Sequence, residues 1–153
     1  AKLLTDHRNS YQGRRKPQHQ LASRVQLPAY KKLKGMMHGF IDLVFEYEGK
    51  YFVADYKSTY LGGNLASYQH SALYQDIASH NYDLQYLVYS LALHRYLKTT
   101  IPDYRAEKHF GGVFYFYLRG MNASSNEGVY YTDILTEELD TLDVIFNNAK
   151  VDA

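Results

Sequence analysis

Cysteine is absent from the 153 residues of this chain. That excludes disulfides, thiolate zinc sites and cysteine-ligated iron–sulfur clusters, and it fits a cytoplasmic protein. Tryptophan is absent too, although 17 Tyr and 7 Phe make aromatic side chains plentiful. No apolar run reaches the roughly 20 residues that a membrane-spanning helix needs, and no signal-peptide pattern is present. Charge of one sign is also lacking. A formal net charge of +1 excludes a strong general attraction to DNA, leaving Arg14-Arg15-Lys16 and Lys31-Lys32-Lys34 as local phosphate contacts. Clusters this short are more often solvated surface. There is no initiator Met, and the opening Ala-Lys-Leu-Leu suggests a fragment of something longer. No internal repeat or low-complexity tract occurs.

What remains is an ordinary globular composition, 46% hydrophobic and 22% charged, at a length suited to one domain with a real core. Residues 1–35 are polar, rich in Gln and Arg, and punctuated by Pro17 and Pro28, which predicts an irregular or partly helical arm. Residues 36–153 are the expected folded domain. Gly39–Phe45 and Tyr51–Lys57 read as strands around a Glu48-Gly49 turn. A glycine-bearing loop over Ser58–Asn64 follows, then a helix over Tyr68–Ser79 and a longer one from about Asn81 or Tyr82 to Lys98. Apolar residues surround most of that second helix, which predicts a buried position. Gly112–Leu118 is the expected core strand and Val129–Thr132 a short one. The last helix opens at Thr136-Glu137-Glu138-Leu139, with Thr136 as the expected N-cap and acids in the first turn. The order is strand, strand, helix, helix, strand, strand, helix. It predicts an α/β fold, a mixed central sheet flanked by helices.

The chemistry concentrates in the first two strands. If Glu48-Gly49 is a two-residue hairpin loop, Tyr47 faces Lys50, Phe45 faces Phe52 and Asp42 faces Asp55. Directly opposed residues on antiparallel strands hold their Cβ atoms roughly 4.5–5.5 Å apart, and like charges there repel. Side chains alternate along a strand, so Lys57, Val44 and Val53 share the face of Asp55. Two facing carboxylates are unfavourable for stability alone, and a divalent cation reverses the sign of the interaction. Oxygen ligands suit Mg²⁺ or Mn²⁺ better than zinc, and such an ion can activate water against a phosphodiester. Lys57 would then stabilise charge on the phosphate or orient the water. The main-chain carbonyl of Tyr56, between the two functional side chains, is a further candidate ligand, while the Tyr56 side chain should point to the opposite face. The bland alternative is a pair of strand aspartates near solvent, with Lys57 as an ion-pair partner.

On the long helix Gln85 and Tyr89 are four residues apart and share a face. An amide inside an apolar helix wants a partner. Backbone, the Asp-Tyr-Lys strand or a DNA phosphate would each provide one. The seven histidines show no metal-type spacing. His38, just before the first strand, is the one placed near the carboxylates, and most of the others read as surface or packing residues.

Gly39–Phe45, Ala54–Ser58, Tyr82–Tyr86, Leu91–Leu97 and His109–Val113 together resemble the RecB-type nuclease domains of the PD-(D/E)xK, restriction-endonuclease-like superfamily. The resemblance runs from about Gly35 to Met121. It implies that Asp42 and Asp55 bind Mg²⁺ with the Tyr56 carbonyl, that Lys57 is the catalytic lysine, and that Gln85 and Tyr89, matching a Q-x-x-x-Y helix motif, contact DNA and brace the site. It implies a Mg²⁺-dependent (or Mn²⁺-dependent) exodeoxyribonuclease of a RecBCD-type helicase–nuclease, acting in double-strand-break processing and recombinational repair. The substrate would be a single strand delivered by a helicase, with RecC- and RecD-like subunits as partners and no membrane. One family element is missing. A metal-binding His on a helix upstream of the first strand has no match, since neither His7 nor His19 sits in the pattern, so the site is expected to be one ligand short. The lack of cysteine agrees with this branch and excludes its iron–sulfur relatives, and no phosphate-binding G-x-x-x-x-G-K-[ST] loop of a motor occurs.

Two other readings compete. The domain could be a docking module for the recombinase RecA with little activity of its own, in which case the helices after Tyr68 would matter more than the carboxylates. It could instead be a stand-alone nuclease of phage or CRISPR type, against which the match at Leu91–Leu97 and His109–Val113 argues.

Overall fold

The computed structural model describes residues 40–148. The expected arm over residues 1–35, its two prolines, both basic clusters, His7, His19 and His38 lie outside the described residues.

The hairpin forms as counted. Strands β1 (Leu43–Tyr47) and β2 (Lys50–Lys57) are antiparallel, with Tyr47 opposite Lys50 and Phe45 opposite Phe52. Glu48 and Gly49 both have positive φ, 50° and 76°, the backbone of a type I′ turn that matches the strands' twist. The first strand is displaced from its expected span, because the tight turn carries the ladder up to Tyr47. At the other end it stops at Leu43, where the Asp42 side chain takes over: its Oδ2 accepts the Tyr56 N–H at 3.1 Å, replacing a main-chain partner.

A 3₁₀ turn at Leu65–Tyr68, capped by the Asn64 side chain on the Ser67 N–H at 3.1 Å, occupies the start of the expected first helix. Helix α1 therefore begins later, at His70, and runs to Ser79, and α2 spans Tyr82–Thr100. A single turn, α3 (Ala106–His109), precedes β3 (Phe110–Tyr117). The sequence pattern places that strand two residues later. It starts at Phe110 because Phe110 pairs with Tyr51 and Gly112 with Phe52, leaving Gly111 as a bulge. A Cβ on Gly111 would lie 2.4 Å from the Phe52 ring, so the close approach requires glycine.

Strand β4 (Val129–Thr132) completes a sheet of order β1-β2-β3-β4, in which β2 and β3 are parallel and the outer pairs antiparallel. Helix α4 (Thr136–Asn148) follows. Its N-cap is Leu135, not Thr136. The Leu135 carbonyl accepts from the N–H groups of Glu138 and Leu139 at 3.0 and 3.1 Å, and Glu138 Oε2 accepts the Leu135 N–H at 2.8 Å. The acid three residues into the helix reaches back to the cap, half of a capping box.

The mixed sheet with its helices is the α/β, restriction-endonuclease-like architecture that the sequence predicts. Helix α2 packs on β2 and β3, α1 on β4, and α4 on α2. Val53, Val113, Tyr115, Tyr117 and Tyr130 are fully buried, and the register puts them on one face, beside Asp55 and Lys57. Arg95 ties α4 to α2 through Asp143 at 2.5 Å and Asn147 at 2.8 Å. Leu139 and Leu142 supply the apolar part of that contact.

Candidate active site

Alternation along β2 sends Asp55 and Lys57 to the face under α2 and Tyr56 to the other. The Tyr56 side chain is 45% exposed and its ring lies 5.6 Å from that of Phe116, a rim position on the opposite face. Asp55 is 4% exposed. The antiparallel register, extended one residue beyond Leu43–Ala54, sets Asp42 opposite Asp55, and the Asp42 bond to the Tyr56 N–H fixes its carboxylate there.

Asp55 Oδ2 is buried and forms an ion pair with Lys57 Nζ at 2.5 Å. Burial pushes the Asp55 carboxyl above its ordinary value, Lys57 pulls it down, and the neighbouring Asp42 carboxylate raises it further. Two neighbouring carboxylates with one ammonium between them leave negative charge uncompensated, which a further cation would offset. The donors are hard oxygens, which fit Mg²⁺ or Mn²⁺. Among the described residues no group of three His, Cys, Asp or Glu side chains is placed to share an ion, so a third protein ligand from this region would be a main-chain carbonyl or a neutral side-chain oxygen.

The Lys57 ammonium is held from several sides. It donates to Gln85 Oε1 at 3.4 Å and stands 4.0 Å from the centre of the Tyr82 ring and 5.0 Å from that of Tyr115, within the range where an aromatic quadrupole attracts a cation. Gln85 Nε2 donates to the Tyr89 hydroxyl at 3.2 Å. The structure thus gathers the side chains of Asp42, Asp55, Lys57, Gln85 and Tyr89 into one cluster.

Sequence reasoning missed Tyr82, Tyr115, Tyr117 and Asp76 in its wall. The Tyr115 hydroxyl donates to Gln85 Oε1 at 2.8 Å and to the Tyr82 carbonyl at 3.0 Å. Tyr117, beside Lys57 in the parallel ladder, donates to Asp76 Oδ2 at 2.7 Å, and burial pushes its phenol far up. The available signal was in β3, where Tyr115 and Tyr117 alternate with Phe114 and Phe116. Among the described histidines, His94 is a packing residue, 2% exposed and 2.9 Å from the Tyr104 hydroxyl, and His80 pairs with Asp76 at 3.1 Å.

The PD-(D/E)XK nuclease superfamily matches residues 3–150. The RecBCD enzyme subunit RecB of Haemophilus influenzae is 45% identical over 132 residues, 84% of this chain and 11% of that protein. Its counterpart in Escherichia coli (strain K12) is 48% identical over 104 residues, 67% of this chain and 9% of that protein. The RecB subunit of Mycobacterium tuberculosis (strain H37Rv) is 40% identical over 90 residues, 58% of this chain. The chain spans about a tenth of the length of these relatives. A match across nearly the whole sequence, around a sheet that carries Asp55 and Lys57 on one face with Asp42 at the end of the neighbouring strand, leads to one conclusion: the chain belongs to the PD-(D/E)XK nuclease superfamily and is homologous to the RecB proteins.

Proposed function

We propose that this domain is the Mg²⁺-dependent exodeoxyribonuclease of a RecBCD-type helicase–nuclease, hydrolysing single-stranded DNA that the motor delivers, in double-strand-break processing and recombinational repair in the cytoplasm. The observation that carries the reading is the buried Asp55 carboxylate placed between Asp42 and Lys57 in a chain of this family. Asp42, Asp55 and the Tyr56 carbonyl would hold the divalent ion, with any further ligand coming from outside the described residues. Such an ion, when bound, supplies positive charge at the scissile phosphate and acidifies water there.

The chain's own residues do the rest. Water adds to phosphorus, a P–O bond breaks, and the leaving oxygen takes up a proton. Lys57, only partly exposed, faces the negative charge that grows on the non-bridging oxygens. It cannot turn away easily, because Asp55, Gln85 and the Tyr82 ring surround it. Gln85 and Tyr89 form the adjoining helix face on which the strand would rest. RecC- and RecD-like subunits would deliver it, and docking of the recombinase RecA is an alternative use of the same domain. No helix among the described residues is long and apolar enough to cross a membrane.

Incubating the chain with end-labelled single-stranded DNA and Mg²⁺ tests the proposal. Cleavage that disappears with chelator and in Asp55→Ala is expected. Cleavage at the wild-type rate in Asp55→Ala would refute the site.

A further inference from the structure

The hydroxyl of Tyr115 has no place in the hydrolysis as described, yet it sits at the centre of the cluster. We propose that Tyr115 is a positioning residue, whose hydroxyl holds the Gln85 amide with Oε1 turned toward Lys57 and so keeps the ammonium aimed at the carboxylates. The inference rests on the nuclease reading above and extends it to a residue outside the D-x-K and Q-x-x-x-Y motifs.

A glutamine side chain has nearly the same shape when rotated by half a turn, but one orientation offers an acceptor and the other two donors. Lys57 is donor-only, so it tolerates Oε1 beside it and opposes Nε2. Its own contact to Oε1, 3.4 Å, is too long to hold the amide alone. The shorter bond to Oε1 comes from Tyr115 at 2.8 Å. Tyr89, 3.2 Å from Nε2, has a hydroxyl that can donate or accept and therefore permits either orientation.

Tyr115 itself is well fixed. It is fully buried, pairs with Asp55 in the parallel ladder, and packs edge-on against Tyr82 and Tyr86 at 5.9 Å each. Its single proton is shared between Gln85 and the Tyr82 carbonyl, 3.0 Å away. The neutral phenol carries one O–H donor, and both acceptors face it. Replacing the ring's hydroxyl by hydrogen leaves the packing intact and removes the one strong donor to Oε1.

A double-mutant cycle in the 153-residue chain tests this. Single-stranded DNA cleavage is measured for wild type, Tyr115→Phe, Gln85→Glu and the double variant, with Asp55→Ala and Lys57→Ala as controls. Glutamate presents oxygen in either orientation and needs no lock. Tyr115→Phe should lower kcat about five- to tenfold with KM little changed, and should cost nothing further in the Gln85→Glu background. An equal loss in both backgrounds, or none in wild type, would overturn the inference while the control variants still upheld the nuclease site. Controls that cleave normally would instead sink that site. A second readout needs no turnover. In NMR spectra the Gln85 amide protons should contact the Tyr89 ring in wild type and redistribute toward Tyr82 in Tyr115→Phe. Unchanged contacts in that variant would also overturn the inference.

Discussion

The two faces of strands β2 and β3 are built from nearly the same kind of residue and serve different ends. On one face lie Asp55, Lys57, Tyr115 and Tyr117, covered by helix α2 and almost without solvent contact. On the other lie Phe52, Phe114 and Phe116, half-buried, joined by Phe45 and Tyr131 in a set of rings whose centres are 4.9 to 5.9 Å apart. The aromatic bulk is similar. The hydroxyls differ, and they are what allows the covered face to carry charge. Tyr115 and Tyr117 satisfy Gln85 and Asp76, and the ring of Tyr82 lies against the Lys57 ammonium. A buried face that holds a carboxylate and an ammonium needs polar handles on its large side chains. The opposite face needs only apolar area.

Substitutions on each face should therefore fail differently. The largest effect belongs to Lys57→Ala, which should lower Mg²⁺-dependent cleavage roughly 10²–10³-fold while the melting temperature stays near wild type. A loss of cleavage explained by unfolding would erase the distinction. Phe114→Ala should do the reverse. A fully buried Phe→Ala change costs about 3–5 kcal/mol, so half-buried Phe114 should cost about 2 kcal/mol in denaturant titration, with cleavage per folded molecule preserved.

Asp55→Asn should separate function from stability within one residue. Because the folded state raises the Asp55 carboxyl above 3.8, its contribution is intact below that pH and is lost as pH rises through the higher folded value. The neutral amide copies the protonated form. Without metal, Asp55→Asn should melt higher than wild type near pH 7, with the gap closing toward pH 3.8. A lower melting temperature for the variant would show that the carboxylate stabilises the fold. The smallest effect lies away from the sheet. Burial lowers the His94 imidazole below 6.5, so its contribution is present above that pH and is lost as pH falls through the folded value. The melting temperature should drop on acidification through this range, and His94→Gln should flatten the drop.

Much of this contrast was legible in the residues. The Glu48-Gly49 turn fixes the hairpin register, and the register alone brings Asp42 opposite Asp55. The four-residue spacing of Gln85 and Tyr89 likewise suffices to put them on one face. Boundaries were less legible where side chains stand in for backbone. Asp42 ends β1 by capturing the Tyr56 N–H, Asn64 caps a 3₁₀ turn that takes the start of the expected first helix, and Glu138 shifts the cap of α4 from Thr136 to Leu135. The roles of Tyr115 and Tyr82 were not legible, because they depend on the parallel pairing of β2 with β3 and on how α2 lies across them. Nothing local in Gly112–Leu118 distinguishes a purely packing tyrosine from one whose hydroxyl holds a polar neighbour.

The central claim is that Asp42 and Asp55 form a divalent-metal site on the covered face. Adding Mn²⁺ to the chain and following paramagnetic broadening of its NMR signals tests that claim most directly. The account predicts that Asp42, Asp55, Tyr56 and Lys57 broaden first and that Asp55→Asn abolishes the effect. Broadening centred elsewhere, or equally strong in Asp55→Asn, would contradict it.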